Sequence, residues 1–359
     1  MPLKKVPSSS TPPSTTQEAF QNSEEPLPQA FVAGIESYGS SRVTEAAIRK
    51  VLGADFDTWI KKGLAGDAGA EALETQLSAK IKKAFDLALA EWSVMHYFEE
   101  QGLAIYITLD VVEKADTARR MPFLPAPKGK FPDPDSLISQ WMQYETTALQ
   151  LAQAGELGEQ GPVACPAFHC PFGHKHPKLK PFEKAFVDGA KKNEKALVEI
   201  QAKDERAEYR GAATFLLPYL KDGKKVLSLM LGRVRDSDAL VRNNTLRVLG
   251  DIAEFHKELM VPLKPILEAL QFPRVSDRAK AVYVVHALAN QTKEMSDALI
   301  KDGLPQLLTI LASTQPNHRE VASAVLRRLS GKTFKANDLA AWKAWADSIS
   351  TSRAITKSK

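Results

Sequence analysis

The chain has 359 residues, 44% hydrophobic and 25% charged, with a formal net charge of +5 at pH 7. That is an ordinary globular composition and about two domains' worth of chain. No run approaches the roughly 18 apolar residues that a membrane span needs, which excludes integral membrane association. The basic start, Met1-Pro2-Leu3-Lys4-Lys5, leads into Ser, Thr and Pro rather than an apolar core, so no secretory leader is read. The expected location is therefore cytoplasmic, unless the chain is the mature form of an exported protein. Residues 1–160 hold 15 Lys/Arg against 22 Asp/Glu, and residues 161–359 hold 33 against 21. An acidic half joined to a basic half implies two modules. The field of the basic half would attract an acidic protein, nucleic acid or an anionic membrane surface.

Residues 1–29 carry a Ser/Thr/Pro run from Ser8 to Thr16, then Glu24-Glu25-Pro26-Leu27-Pro28. Too little apolar surface is present to offset ordering entropy, so a disordered tail is expected. A helical module follows over residues 30–160. Val43, Ala46, Ala47, Val51 and Leu52 keep a three-to-four spacing. Leu73, Leu77, Ile81, Phe85, Leu89 and Trp92 recur nearly every fourth residue, the apolar stripe of one long helix. Leu103 to Leu109 is a short run rich in β-branched and aromatic residues, which reads as a strand or as a buried helical segment. Asp110 after it reads as a turn or cap residue rather than a catalytic carboxylate. Pro122, Pro125, Pro127, Pro132 and Pro134 exclude helix. A helix is predicted over residues 135–154, with Leu137, Trp141, Tyr144, Ala148 and Leu151 on one face, and Gly155 to Gly161 reads as a break.

Residues 161–204 form a Cys/His loop and a connecting helix. Both cysteines and three of the seven histidines lie between Cys165 and His176. Thiolate and imidazole are the ligands zinc prefers, and soft sulfur argues against magnesium or calcium. Cys165, His169, Cys170, His174 and His176 are the candidate metal ligands, four of the five sufficing for a tetrahedral zinc site. A Cys165–Cys170 disulfide, or a loop with neither bond nor metal, fits the same residues. A catalytic zinc would need an open position and a general base, and Glu183 is the nearest carboxylate in sequence. Gly331-Lys332-Thr333 lacks the preceding glycine of a phosphate-binding loop, since Leu326 stands there, and reads as a turn.

Self-similarity appears from residue 205. Lys221-Asp222-Gly223 recurs as Lys301-Asp302-Gly303, 80 residues later, with a further break near Val261-Pro262 between them. Arg210, Arg242, Arg278 and Arg319 mark four copies. Three residues on stand Ala213, Thr245, Ala281 and Ala322; six on, Leu216, Val248, Val284 and Val325; seven on, Leu217, Leu249, Val285 and Leu326. A small residue and an adjacent apolar pair in each copy suit helices that bury their faces only by stacking.

The segment Asp236 to Arg242, followed by Leu246, Val248, Leu249 and Gly250, resembles a HEAT repeat. Ser296 to Leu308 is similar to an armadillo repeat. The resemblance covers residues 205–350, with Trp342 and Trp345 on an expected capping helix and residues 351–359 as a basic tail. It implies that Asp236, Arg242, Asp277 and Arg278 tie adjacent repeats together. The expected fold is mainly α, a helical N-terminal module followed by an armadillo/HEAT-like α-solenoid. The resemblance implies a non-enzymatic scaffold that binds another protein. Nucleic-acid binding through the basic half and a metal-dependent enzyme centred on the Cys/His loop are the alternatives.

Overall fold

The computed structural model describes residues 29–157 and 165–357, with side chains to residue 349. The expected tail over residues 1–29 lies outside these apart from its last residue, as does the predicted break beyond Leu157. The chain is mainly helical, with one three-stranded sheet. Strand β1 (Ala30–Tyr38) is followed by helices α1 (Glu45–Leu52), α2 (Ala54–Leu64) and α3 (Gly69–Ala84). Strands β2 (Leu87–Glu99) and β3 (Gly102–Glu113) then form a hairpin. β3 is central, parallel to β1 and antiparallel to β2.

The helical expectation for the part of the N-terminal module before Leu103 is therefore corrected at both ends, by β1 and β2. The stripe that starts at Leu73 leaves the helix after Ala84. Asp86, with φ of 55°, turns the chain out of α3 in the left-handed region that Asp tolerates better than most residues. Beyond it Leu89 and Trp92 lie on β2, and Trp92 packs against Phe56 and Trp59 at ring-centroid distances of 5.4 and 4.9 Å. Leu103 to Leu109, open between strand and buried helix in the sequence, lies in the strand β3. Ile48, Phe56, Leu77 and Ile81 from the helices close over one face of the sheet, against Ile107 and Leu109.

The proline-rich stretch after helix α4 (Thr117–Arg120) is not helical until a short 3-10 turn, Pro134–Ser136. Helix α5 (Leu137–Gln153) matches its predicted span and apolar face, and packs into the larger, C-terminal core. There follow α6 (Lys180–Lys192), α7 (Glu194–Lys203), α8 (Ala207–Leu216), α9 (Gly223–Leu231) and α10 (Ala239–Phe255). The rest are α11 (Leu263–Ala269), α12 (Val275–Ala289), α13 (Lys293–Ala298), α14 (Leu304–Leu311), α15 (Pro316–Ser330) and α16 (Leu339–Lys357). Helices α5, α8, α10, α12 and α15 lie side by side in that order. Helices α9, α11 and α14 each pack behind the longer helix that follows them. α16 runs on to Lys357, through most of the expected basic tail. Among the described residues no helix is long and apolar enough to cross a membrane.

The repeated positions behave alike. The third, sixth and seventh residues after Arg210, Arg242, Arg278 and Arg319 are all 0% exposed. Ala or Thr at the third position lets neighbouring helices approach. The glycines of the two Lys-Asp-Gly copies mark close approaches too. A Cβ on Gly223 would stand 2.7 Å from Leu259, and one on Gly303 2.9 Å from Leu267.

Three of the arginines make the same contacts. One amino group of each donates to the backbone carbonyls six and five residues earlier: Asp204 and Glu205 for Arg210, Asp236 and Ser237 for Arg242, Phe272 and Pro273 for Arg278. The other side of each reaches a buried carboxylate on a neighbouring element. Arg210 pairs with Asp236 at 2.8 Å, and Arg242 with Asp277 at 2.7 Å. Arg278 finds no aspartate on the next helix, where His318 stands. It pairs instead with Asp110 of β3 at 2.7 Å, both side chains 0% exposed. Asp110 is thus neither turn nor cap. Arg319 does not continue the series; among the described residues its ion pair is with its neighbour Glu320, at 3.5 Å.

The sheet docks at the place where the fourth copy departs from the pattern. The second oxygen of Asp110 accepts from Ser93 Oγ at 3.0 Å and from Val275 N–H at 3.2 Å. Glu36 of β1 accepts from Ser313 Oγ at 2.7 Å and from Thr314 N–H at 2.6 Å. Gln315 donates to Thr108 Oγ1 at 2.8 Å. Tyr38 lies under the Arg278 guanidinium, 3.6 Å from its carbon. Two separate apolar cores therefore meet across a polar seam.

Candidate functional site

The Cys/His loop lies over α5, α8 and the start of α6, fixed by an aromatic cluster. Trp141 and Tyr144 of α5 pack against Phe186 of α6, and Trp141 also meets Phe215 of α8 at 5.2 Å. Tyr144 donates its hydroxyl to Gly173 O at 2.8 Å, and Phe168 N–H donates to Pro218 O at 3.0 Å. The loop is thereby anchored between its cysteines and just beyond the second.

Cys165 and Cys170 are joined in a disulfide. In that state neither sulfur is a thiolate, the form that ligates zinc. The three histidines point to different partners. His174 is buried, and burial lowers its pKa, so the ring is neutral. Its Nδ1–H donates to Leu179 O at 3.4 Å, and its Nε2 accepts the Tyr219 hydroxyl at 2.7 Å, the tautomer this network assigns. Both nitrogens are thus occupied. His176 Nδ1 accepts from Lys178 N–H at 3.2 Å, with Glu156 3.8 Å from its Nε2. His169 stacks on Phe215 and holds Asp251 Oδ2 of α10 through Nδ1 at 2.7 Å. Its Nε2 is buried with no partner among the described residues. The five candidate ligands are neighbours along the loop, but among the described residues no group of three or more His, Cys, Asp or Glu stands ready to hold a metal ion.

Asp251 carries the loop to a charged face that sequence reasoning did not single out. On α10, Asn243, Arg247 and Asp251 recur every four residues and share one side. Ser276, Lys280 and Tyr283, at spacings of four and three, likewise share one side of α12. Arg247 and Lys280 are half-buried, and burial lowers the pKa of both, Lys280 to about 8. Glu145 of α5 lies close enough to Arg247 to feel its charge, while burial raises the pKa of the carboxyl itself. The only signal in the sequence is the three- to four-residue spacing of polar residues on helices that otherwise read as core.

A cleft of about 360 Å³ opens between Leu89 and Glu91 of β2 and the start of α10. Its arginines are already engaged, Arg242 by Asp277 and Arg274 by Glu91 at 3.0 Å. Comparisons with protein-family models, curated proteins and solved structures find no match to this chain.

Unreduced protein is expected to show no alkylatable thiol, and two after reduction, by mass spectrometry. Cys165→Ser is expected to cost about 2 kcal/mol in urea unfolding, the loop-closure value for so short a bridge. A Cys165→Ser chain as stable as the parent would contradict that.

Proposed function

We propose that the chain is a non-enzymatic scaffold of the armadillo/HEAT kind, an α-solenoid that binds another protein along the shared face of its longer helices. The supporting observation is the ordered row α8, α10, α12 and α15, whose first three members are clamped to neighbouring elements by buried arginine–aspartate pairs. Stacked helical pairs of this sort present long, rigid surfaces, and their energy goes into register rather than into an enclosed reaction chamber. Leu240, Phe255 and Tyr283 are large apolar side chains left 45%, 67% and 41% exposed on this row. Such residues on a rigid face suit contact with a partner. The disulfide favours an oxidising compartment over the cytoplasmic expectation.

The test is to pan the full chain against displayed random dodecapeptides. Enriched peptides should bind the parent and lose at least tenfold in affinity to Tyr283→Ala or Phe255→Ser chains of unchanged circular dichroism. Failure to enrich any peptide, or binding indifferent to both substitutions, would overturn the reading. Binding of duplex DNA that falls steeply with salt would support the nucleic-acid alternative instead.

A further inference from the structure

Arg247 and Lys280 stand opposite each other on α10 and α12, and contacts on either side fix that placement. One turn earlier on both helices, Asn243 Nδ2 donates to Ser276 O at 3.1 Å. One turn later, a Cβ on Gly250 would stand 2.9 Å from the Tyr283 ring. Between these contacts the charge of Arg247 bears directly on Lys280. Arg247 Nε donates to Asn243 Oδ1 at 3.2 Å, and neither cation forms an ion pair with a described carboxylate. Of the acids nearby, Asp251 is held by His169, and Glu145 is a buried carboxyl whose pKa burial raises and Arg247 lowers; both attract Arg247 from beyond ion-pair distance, and neither bears on Lys280. Two like charges, side by side and partly stripped of water, are costly unless an anion joins them.

We propose that the Arg247–Lys280 pair is the binding site for an acidic side chain of a partner peptide, a Glu or Asp flanked by apolar residues. Charge complementarity supplies the acid, since a guanidinium fork beside an ammonium is the arrangement that recognises a carboxylate. The apolar flanks follow from spacing. Leu240 lies seven residues before Arg247 and Phe255 eight after it, both close to two turns and so on the same side of α10. Tyr283 adds a third exposed apolar side chain, on α12. This assignment rests on the scaffold reading and narrows it to a class of partner.

The probe is a fluorescein-labelled peptide of two Leu-Glu-Glu-Phe units, with a Gln-for-Glu twin as control, titrated into the full chain. The Glu peptide is expected to bind at least tenfold tighter than its twin. Arg247→Gln and Lys280→Gln should each erase that difference, while Lys224→Gln, on an exposed turn of α9, should leave it. Equal binding of the two peptides, or a preference that survives both substitutions, overturns the inference. Displacement by low-millimolar inorganic phosphate, with the peptide binding no tighter than phosphate itself, marks a bare oxyanion site and also overturns it. Should the substituted chains fail to fold, the parent still decides. The Glu peptide must slow acetylation of Lys280 at least tenfold, because a bound carboxylate holds the ammonium protonated, and no slowing overturns the inference. If displayed peptides bind the face without regard to acidic residues, the inference fails and the scaffold reading stands. If no peptide binds the face, both fail.

Discussion

Asp110→Ala is expected to destabilise the folded chain by about 3–5 kcal/mol, because it leaves the Arg278 guanidinium buried without its carboxylate. Both side chains are 0% exposed, and the aspartate also accepts from Ser93 and from the backbone of Val275. The bonds to Arg278 and Val275 cross the seam between the sheet and the helical row, while that to Ser93 stays within the sheet, so most of the loss falls on the docking of one core against the other. Urea unfolding followed by tryptophan fluorescence measures it. Trp92 lies in the sheet's core and Trp141 and Trp342 in the helical one, so the signal covers both. Asp110→Asn keeps the shape and one acceptor oxygen, enough for either Arg278 or the Ser93 and Val275 donors, and should cost less. The pair Asp110→Ala with Arg278→Met should recover only part of the loss, because Arg278 also holds the carbonyls of Phe272 and Pro273. A loss under about 1 kcal/mol would mean that the buried pair does not hold the seam.

The second large effect is acid instability traceable to His318. This imidazole is buried beside Arg278, donates Nε2–H to Val275 O at 3.0 Å, and has its pKa lowered to about 3, by burial first and Arg278 second. The unfolded chain would titrate it near 6.5. The folded state therefore resists the proton, and the sign follows. The contribution of His318 is fully present above about pH 6.5 and is lost as pH falls toward 3, at up to about 1.4 kcal/mol per pH unit. Asp110 and Asp277, raised by burial, act in the opposite sense at the acid end and blunt the total slope. Comparison with His318→Gln isolates the histidine, since Gln can still donate to Val275 O. The variant should lose less stability between pH 6.5 and pH 4 than the parent. Parallel pH profiles for the two chains would contradict a neutral buried histidine.

What was legible in the sequence was whatever local spacing encodes. Ala213, Thr245, Ala281 and Ala322, with the apolar pairs after them, are buried alike because each copy repeats one helix face against the next. α5 could be placed because prolines end the chain before it and Leu137 to Leu151 keep one period. β2 was misread for a physical reason. A four-residue spacing is also a multiple of two, so Phe85 and Leu89 continue the stripe of α3 across a boundary that carries neither Gly nor Pro. β1 pairs with β3 from some 70 residues away, Ala30 opposite Leu103, and no local pattern records that.

The candidate site divides in the same way. The residue types of the Cys/His loop announce themselves, and the disulfide was one of the states they allowed. Their partners do not, because Asp251 lies 82 residues beyond His169 and Tyr219 45 beyond His174. Asp110 meets Arg278 across 168 residues, so its role belongs wholly to the tertiary fold. Nothing in the sequence singles out Arg247 and Lys280, and only the packing of α10 against α12 puts them together.

The most direct test of the interaction reading is hydrogen exchange on the full chain with and without its best enriched peptide. The account predicts added protection along α10 and α12, centred on residues 243–255 and 276–283, with the sheet and the Cys/His loop unchanged. Protection confined to the sheet or to that loop, with the α10 and α12 amides exchanging as before, would contradict it.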